Sequence, residues 1–236
     1  MCLCRRPMAT LMLDAFSALR LSAFVAAFSA ALLGLELALH RGPSKLSPLL
    51  TRGLGAAVLV VSIWGFVGGP GLAFAVLAVG LCAVALVYRG SYCGGADSVF
   101  FYACLALAMG VRWPQTAVAM LSVLAVLSYV VAGLAKAAQR RWWSGRALSE
   151  VIQNDFYAVP PAVKKLSHRL PLMRFASWAI LLWELGFVGV FISRHFVGPF
   201  VVAGLVFHLA VFWAFGLNRF FWTWAITYPA LFALHH

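Results

Sequence analysis

From Ala15 to Leu39 the chain carries only two charged residues, Arg20 and Glu36, and similar apolar runs recur along its length. A helix needs about 20 such residues to cross the hydrocarbon core of a bilayer. Inside lipid every backbone N–H and C=O must pair within the segment, so runs of this kind fold as helices. Composition agrees. The chain is 64% hydrophobic and 10% charged, against roughly 45–50% and about 25% in soluble domains. A soluble chain of 236 residues has too little wetted shell to cover that much apolar surface. The expected class is all-α, a polytopic transmembrane helical bundle forming a single membrane domain over residues 1–236, with the lipid bilayer as its first partner.

The apolar runs set the expected order of spans. The first covers about Ala15 to Leu39 and is stopped by the basic loop His40-Arg41-Gly42-Pro43 through Arg52. The second, about Gly53 to Gly68, opens on Gly53, Gly55, Ala56 and Ala57, small residues that suit close helix packing. The short turn Gly68-Gly69-Pro70-Gly71 makes a hairpin with the third, about Leu72 to Val87. A polar turn from Tyr88 to Asp97 leads to the fourth, about Ser98 to Val111, and Arg112-Trp113-Pro114 to the fifth, about Gln115 to Ala135. The sixth and seventh run from about Leu172 to Ile192 and Val197 to Leu217. A last run, Phe220 to Leu234, either crosses thinly or re-enters, so seven or eight spans are expected.

Between the fifth and sixth spans lies the one long segment expected outside the hydrocarbon, Gln139 to Pro171. There Leu148, Val151, Ile152 and Phe156 fall on one helical face, while Glu150, Gln153 and Asn154 point the other way. Asp155 is the exception on the apolar side. With Trp142 and Trp143 at its entrance, the pattern predicts an amphipathic helix lying in the interface and ended by Pro160-Pro161.

Eighteen Lys and Arg against six Asp and Glu give a net charge of +12. In a soluble chain that excess would point to nucleic acid. Here the basic residues sit in short loops between apolar runs, where the positive-inside rule and anionic headgroups account for them, and no nucleic-acid partner is expected. The loops after the first, third and fifth spans hold most of them, which places that side in the cytoplasm and the N-terminus outside; Arg5 and Arg6 pull the other way. That arginine pair resembles a twin-arginine signal only superficially, since no short apolar region with a small-residue cleavage site follows it. The five cysteines form no metal pattern. Cys82 and Cys104 are expected as small buried hydrophobes, Cys93 lies in a polar turn where a disulfide is open, and Cys2 and Cys4 stand near the start. No internal repeat and no broken-helix pair is found, which counts against a transporter.

Acidic residues are scarce enough that each one inside a span carries information. Glu184 lies in Trp183-Glu184-Leu185 of the sixth span and His208 in Phe207-His208-Leu209 of the seventh. Consecutive antiparallel spans put two mid-span residues at similar depth, so a Glu184–His208 pair is expected, which would relieve the cost of burying either alone. It serves structure or function equally well. Lys136 ends the fifth span. It is either a snorkelling lysine or a base, since an amine sheltered from water and left uncharged can take a proton. Arg20 and Glu36 need no explanation beyond snorkelling.

One stretch adds a resemblance. Tyr129-x-x-Ala132-Gly133-x-x-Lys136, then Trp142-Trp143 and Gly145-x-Ala147-Leu148, resembles the core signature of the HTTM family, the vitamin K-dependent γ-carboxylase-like membrane proteins found in many bacteria. Leu19-Arg20-Leu21, Gly95-x-Asp97, Trp113, Trp183-Glu184-Leu185, His208 and Gly216 follow in the same order, so the resemblance covers nearly the whole chain. It implies an integral protein of the bacterial inner membrane. It also implies a quinone cofactor of the reduced naphthoquinone type and a peptide substrate that gains carbon dioxide. Lys136 matches the lysine held to be the base in the animal carboxylase; Glu184 and His208, the ionisable residues within the sixth and seventh spans, are expected to accompany it as catalytic groups. A lipid-soluble quinone, a desolvated amine and the exclusion of water make sense of a membrane site. The chain departs from the pattern in having Leu134 and Ala135 before Lys136 rather than a second lysine, and it ends at His236, where animal carboxylases continue into a peptide-capturing soluble portion. The resemblance places the Lys136 end of its span on the non-cytoplasmic face, opposite to the charge-based orientation. The alternative to an enzyme is a non-catalytic structural subunit assembled with other membrane proteins.

Overall fold

The computed structural model describes residues 14–39, 48–67, 70–87 and 95–235, and those residues hold helices and no strand. Cys2, Cys4, Arg5, Arg6, residues 40–47 of the first basic loop, Gly68-Gly69 and residues 88–94 of the polar turn with Cys93 lie outside them, whereas Pro48–Arg52 and Gly95–Asp97, expected in those loops, are helical. Among the described residues, four helices are long and apolar enough to cross a bilayer. They are α1 (Ala15–Leu39), α5 (Pro114–Ala137), the pair α9 (Leu170–Gly186) and α10 (Gly189–Ile192), and α11 (Arg194–Phe215). At 22 to 25 residues each, they reach about 33–38 Å against a core of about 30 Å. Three further apolar helices are shorter: α2 (Pro48–Val67), α3 (Pro70–Val87) and α4 (Gly95–Gly110).

Many large apolar side chains on these helices face outward, among them Phe24, Val79, Leu182 and Trp213. A helix at a water boundary would carry polar residues there; apolar residues on both faces are what lipid permits. Inside, Leu33, Phe74, Phe100 and Leu121 gather α1, α3, α4 and α5 into one core. A second core, around Tyr129, Phe187, Val201 and Trp224, joins α5 to the C-terminal helices. Helix α1 packs closely on α2. A Cβ built on Gly34 would fall 2.8 Å from the Leu59 backbone nitrogen and 2.9 Å from the Gly55 carbonyl oxygen. Of the four small residues that open the second span, only Gly55 lies in this contact; Ala56 and Ala57 are exposed and nothing lies near Gly53. Cys104 is buried as expected, whereas Cys82 is exposed.

The segment between α5 and α9 forms three short helices, α6 (Arg140–Trp143), α7 (Arg146–Gln153) and α8 (Pro161–Ser167). Ile152 packs with Val159 and Met173, and Leu148 leans on them, while Glu150 on the opposite face pairs with Arg141. The amphipathic helix is shorter than the sequence pattern implies. It ends at Gln153, so Phe156 falls beyond it and is 85% exposed, and Pro161 starts the next helix instead of stopping this one. The bend frees Asp155 from the apolar side: Lys164 Nζ lies 2.8 Å from its carboxylate and holds the carboxyl below its ordinary range.

The last apolar run does not make one helix. Gly216, at φ +71° in the left-handed region, closes α11 with its N–H on the Phe212 carbonyl, 2.9 Å away. The chain continues as α12 (Asn218–Ala225) and α13 (Tyr228–Ala233), broken at Ile226–Thr227. At 8 and 6 residues, these reach only about 12 and 9 Å. Ile226, Tyr228, Ala230 and Leu231 are all buried, so this run fills the bundle's interior.

Candidate functional site

Residues 128, 129, 132, 133 and 136 recur at helical spacing along one side of α5, which brings Ser128, Tyr129, Ala132, Gly133 and Lys136 to a common face. Gly133 sets the depth of the contact with α9. A Cβ there would lie 3.0 Å from Leu185 Cδ2 and 3.1 Å from Glu184 Cβ, so the missing side chain lets the two helices close on each other. One turn further on, Lys136 then reaches Glu184 with Nζ at 2.6 Å from Oε1 and 2.8 Å from Oε2. Glu184 is 3% exposed and Lys136 is 21% exposed. Lys136 Nζ also stands 5.5 Å from the centroid of the Trp142 ring, a cation–π distance.

The expected Glu184–His208 pair does not form. Glu184 precedes the Ser193 turn by nine residues and His208 follows it by fifteen. Six extra residues at 1.5 Å each displace His208 by about 9 Å along the helix axis. Each residue therefore meets α5 at its own depth: Glu184 at Lys136, and His208 near Tyr129, seven residues earlier. His208 Nε2 lies 2.8 Å from Tyr129 Oη, which in turn lies 2.5 Å from Tyr228 Oη. Gly204 makes room for this chain, because a Cβ there would collide with the Tyr228 hydroxyl and lie 3.3 Å from Trp183 Cζ2. The His208 ring stacks on Trp224 with centroids 4.9 Å apart, and Trp224 Nε1 donates to Ser128 Oγ at 3.0 Å.

Lys136–Glu184 and Tyr129–His208 line the same cavity, of about 250 Å³. Its walls are otherwise mostly apolar and aromatic, with Tyr157, Phe207, Phe215, Phe220 and Trp224 prominent, and Val151 of α7 completes the lining. All three residues singled out in the sequence thus reach one space, in two separate pairs. Tyr228, Trp224 and Tyr157 were not legible as members; no spacing rule joins them to α5. Tyr129 entered the sequence reading only as part of the family motif, although its place seven residues before Lys136 puts both on one helical face. Among the described residues no group of three His, Cys, Asp or Glu side chains gathers that could hold a metal ion. Asp97 of the early motif serves elsewhere, in an ion pair with Arg219 of α12.

The chain matches no protein-family model, no curated protein and no solved structure. The reading of the site therefore rests on its geometry.

Proposed function

We propose that the protein is an HTTM-type integral membrane protein that holds the head group of a quinone or similar lipid in the cavity between α5, α9, α11 and α12, and uses Lys136 as a base. The observation that carries this reading is an aromatic-walled cavity in which a buried carboxylate grips a lysine amine by both oxygens. A cavity of about 150 Å³ already takes a benzene ring, and drug-sized ligands occupy about 300–1,000 Å³. At about 250 Å³ the space suits a one- or two-ring head, with its tail left in the bilayer. The residues present fit a naphthoquinone-type group, which when bound would supply the redox chemistry. Glu184 orients the amine and balances its charge when Lys136 takes a proton; the apolar walls keep water from competing. The family resemblance extends this to modification of a peptide, by addition of carbon dioxide.

A second reading, a non-catalytic subunit of a larger membrane complex, is favoured by the same pair, since an amine so fully engaged also serves as a lock between α5 and α9. Mass spectrometry of the detergent-purified protein separates the two. A co-purifying quinone, lost in Lys136→Ala, is the expected result. Its absence, together with other membrane subunits in fixed ratio, would select the second reading.

The proposed topology in the bacterial inner membrane has seven crossings, with α2, α3 and α4 as the additional spans and α6–α8 in the interface. At 20, 18 and 16 residues, these helices reach about 30, 27 and 24 Å, and a bilayer adapts to a few ångströms of mismatch at small cost. In a cysteine-free background, Ser44→Cys and Val111→Cys should react with an impermeant maleimide from opposite sides. Labelling from the same side would mean that α2, α3 and α4 do not all cross, and would overturn the seven-crossing topology. The side also decides between the orientation set by charge and that set by the resemblance.

A further inference from the structure

The hydroxyl chain behind His208 can be read as an account of protons. His208 is buried, and its Nδ1 has no hydrogen-bond partner among the described residues. Tyr129 Oη is within hydrogen-bonding distance of His208 Nε2 and Tyr228 Oη, while among the described residues Tyr228 Oη has Tyr129 alone. Each tyrosine brings one proton to donate. If Nε2 carried the ring proton, it would donate to Tyr129, Tyr129 would donate to Tyr228, and the Tyr228 proton would be left without an acceptor, along with the bare Nδ1. If instead Tyr228 donates to Tyr129, and Tyr129 to Nε2, every group in the chain is satisfied except one N–H, that of Nδ1. An imidazolium satisfies no more groups than the first arrangement, and among the described residues no carboxylate lies within bonding distance of the ring to offset its burial. Buried polar groups favour the arrangement that leaves the fewest unpaired.

We propose that Tyr228 and Tyr129 hold His208 in the tautomer with its proton on Nδ1, and that this N–H donates to an acceptor oxygen of the ligand in the cavity. This rests on the ligand-binding reading given above and deepens it. The cavity then has a donor at each pole: the Lys136 amine at one, the His208 N–H at the other. They approach from points on α5 seven residues, or about 10 Å, apart. Such a site selects a flat ring system carrying carbonyl oxygens at opposite edges, a cyclic dione, over a hydrocarbon of the same shape. Tyr129 and Tyr228 act as positioning residues, through His208.

Two measurements test this on the full chain in detergent micelles. With ¹⁵N-labelled histidine, the His208 resonances, assigned by their loss in His208→Phe, should show a protonated Nδ1 and an acceptor Nε2. Tyr129→Phe should shift the Nε2 resonance. In parallel, calorimetric binding of menadione is compared with that of 2-methylnaphthalene. Menadione should bind the natural protein more tightly, and His208→Phe should weaken it by about 10-fold, the worth of one donor, leaving the hydrocarbon unchanged. A proton on Nε2, or an unchanged menadione affinity in His208→Phe, overturns the inference while the ligand site stands. Failure of menadione to bind the natural protein at all overturns the quinone reading and the inference with it. Should His208→Phe not fold, the tautomer is still decided, with the assignment taken from the shift caused by Tyr129→Phe.

Discussion

Lys136→Met should destabilise the folded protein by about 3–5 kcal/mol, the range for removing one partner of a buried ion pair. The substitution leaves Glu184, 3% exposed, without the amine that meets both of its oxygens. Glu184→Met should cost less, about 1–3 kcal/mol, because Lys136 is 21% exposed at the end of α5 and its stem can swing the charge toward water. The paired change, Lys136→Met with Glu184→Met, should recover most of the loss, as apolar residues of similar volume replace buried ion pairs at little cost. Thermal or denaturant unfolding in micelles measures all three. If the double variant loses the sum of the singles, the two residues do not act as a pair. Stability and ligand binding should also part company here: the double variant is expected to be folded and to lack the proposed base.

The second large effect is expected at Gly145. Its φ is +78°, where an L side chain costs about 1–2 kcal/mol. Its Cβ would also meet the backbone of α9, at 2.6 Å from the Met173 carbonyl carbon and against the Arg174 nitrogen. Backbone cannot move aside as a side chain can. Gly145→Ala should therefore lose the dihedral cost and, beyond it, a further 1–3 kcal/mol of overpacking, by forcing α6 and α7 away from α9. Gly216 provides the control. It has φ +71° with nothing within 4 Å of its Cβ position, so Gly216→Ala should show the dihedral cost alone. Equal losses at the two positions would mean that the α7–α9 contact does not depend on the missing side chain. Because Val151 of α7 and Tyr157 line the cavity, Gly145→Ala should also weaken any ligand held there.

The apolar runs of α1, α5, α9 and α11 were legible because burial in lipid is a property of a segment. About 20 apolar residues in sequence announce it without reference to any neighbour. The ends of the amphipathic helix were less legible. Leu148, Val151, Ile152 and Phe156 keep a helical period, but Asn154 to Val159 leave the helix to place Val159 beside Ile152, a contact that no local pattern encodes. Nor did hydropathy show that the final run breaks at Ile226, because a buried helix and a spanning one are equally apolar.

At the candidate site, local chemistry and tertiary geometry divided the work. The sequence by itself determined that Lys136, Glu184 and His208 are exceptional, since ionisable groups inside apolar runs are costly and must be accommodated. It also placed Tyr129 and Lys136 on one face of one helix, through the 3.6-residue period. Only the tertiary structure decided the partners. The offset of α11 against α9 sent Glu184 to Lys136 and His208 to Tyr129, and the bare Cα atoms of Gly133 and Gly204 let the helices come close enough for both contacts. Pairing depends on the relative depth and rotation of separate helices. Those are fixed by packing across the whole bundle, which the spacing of residues along one chain does not record.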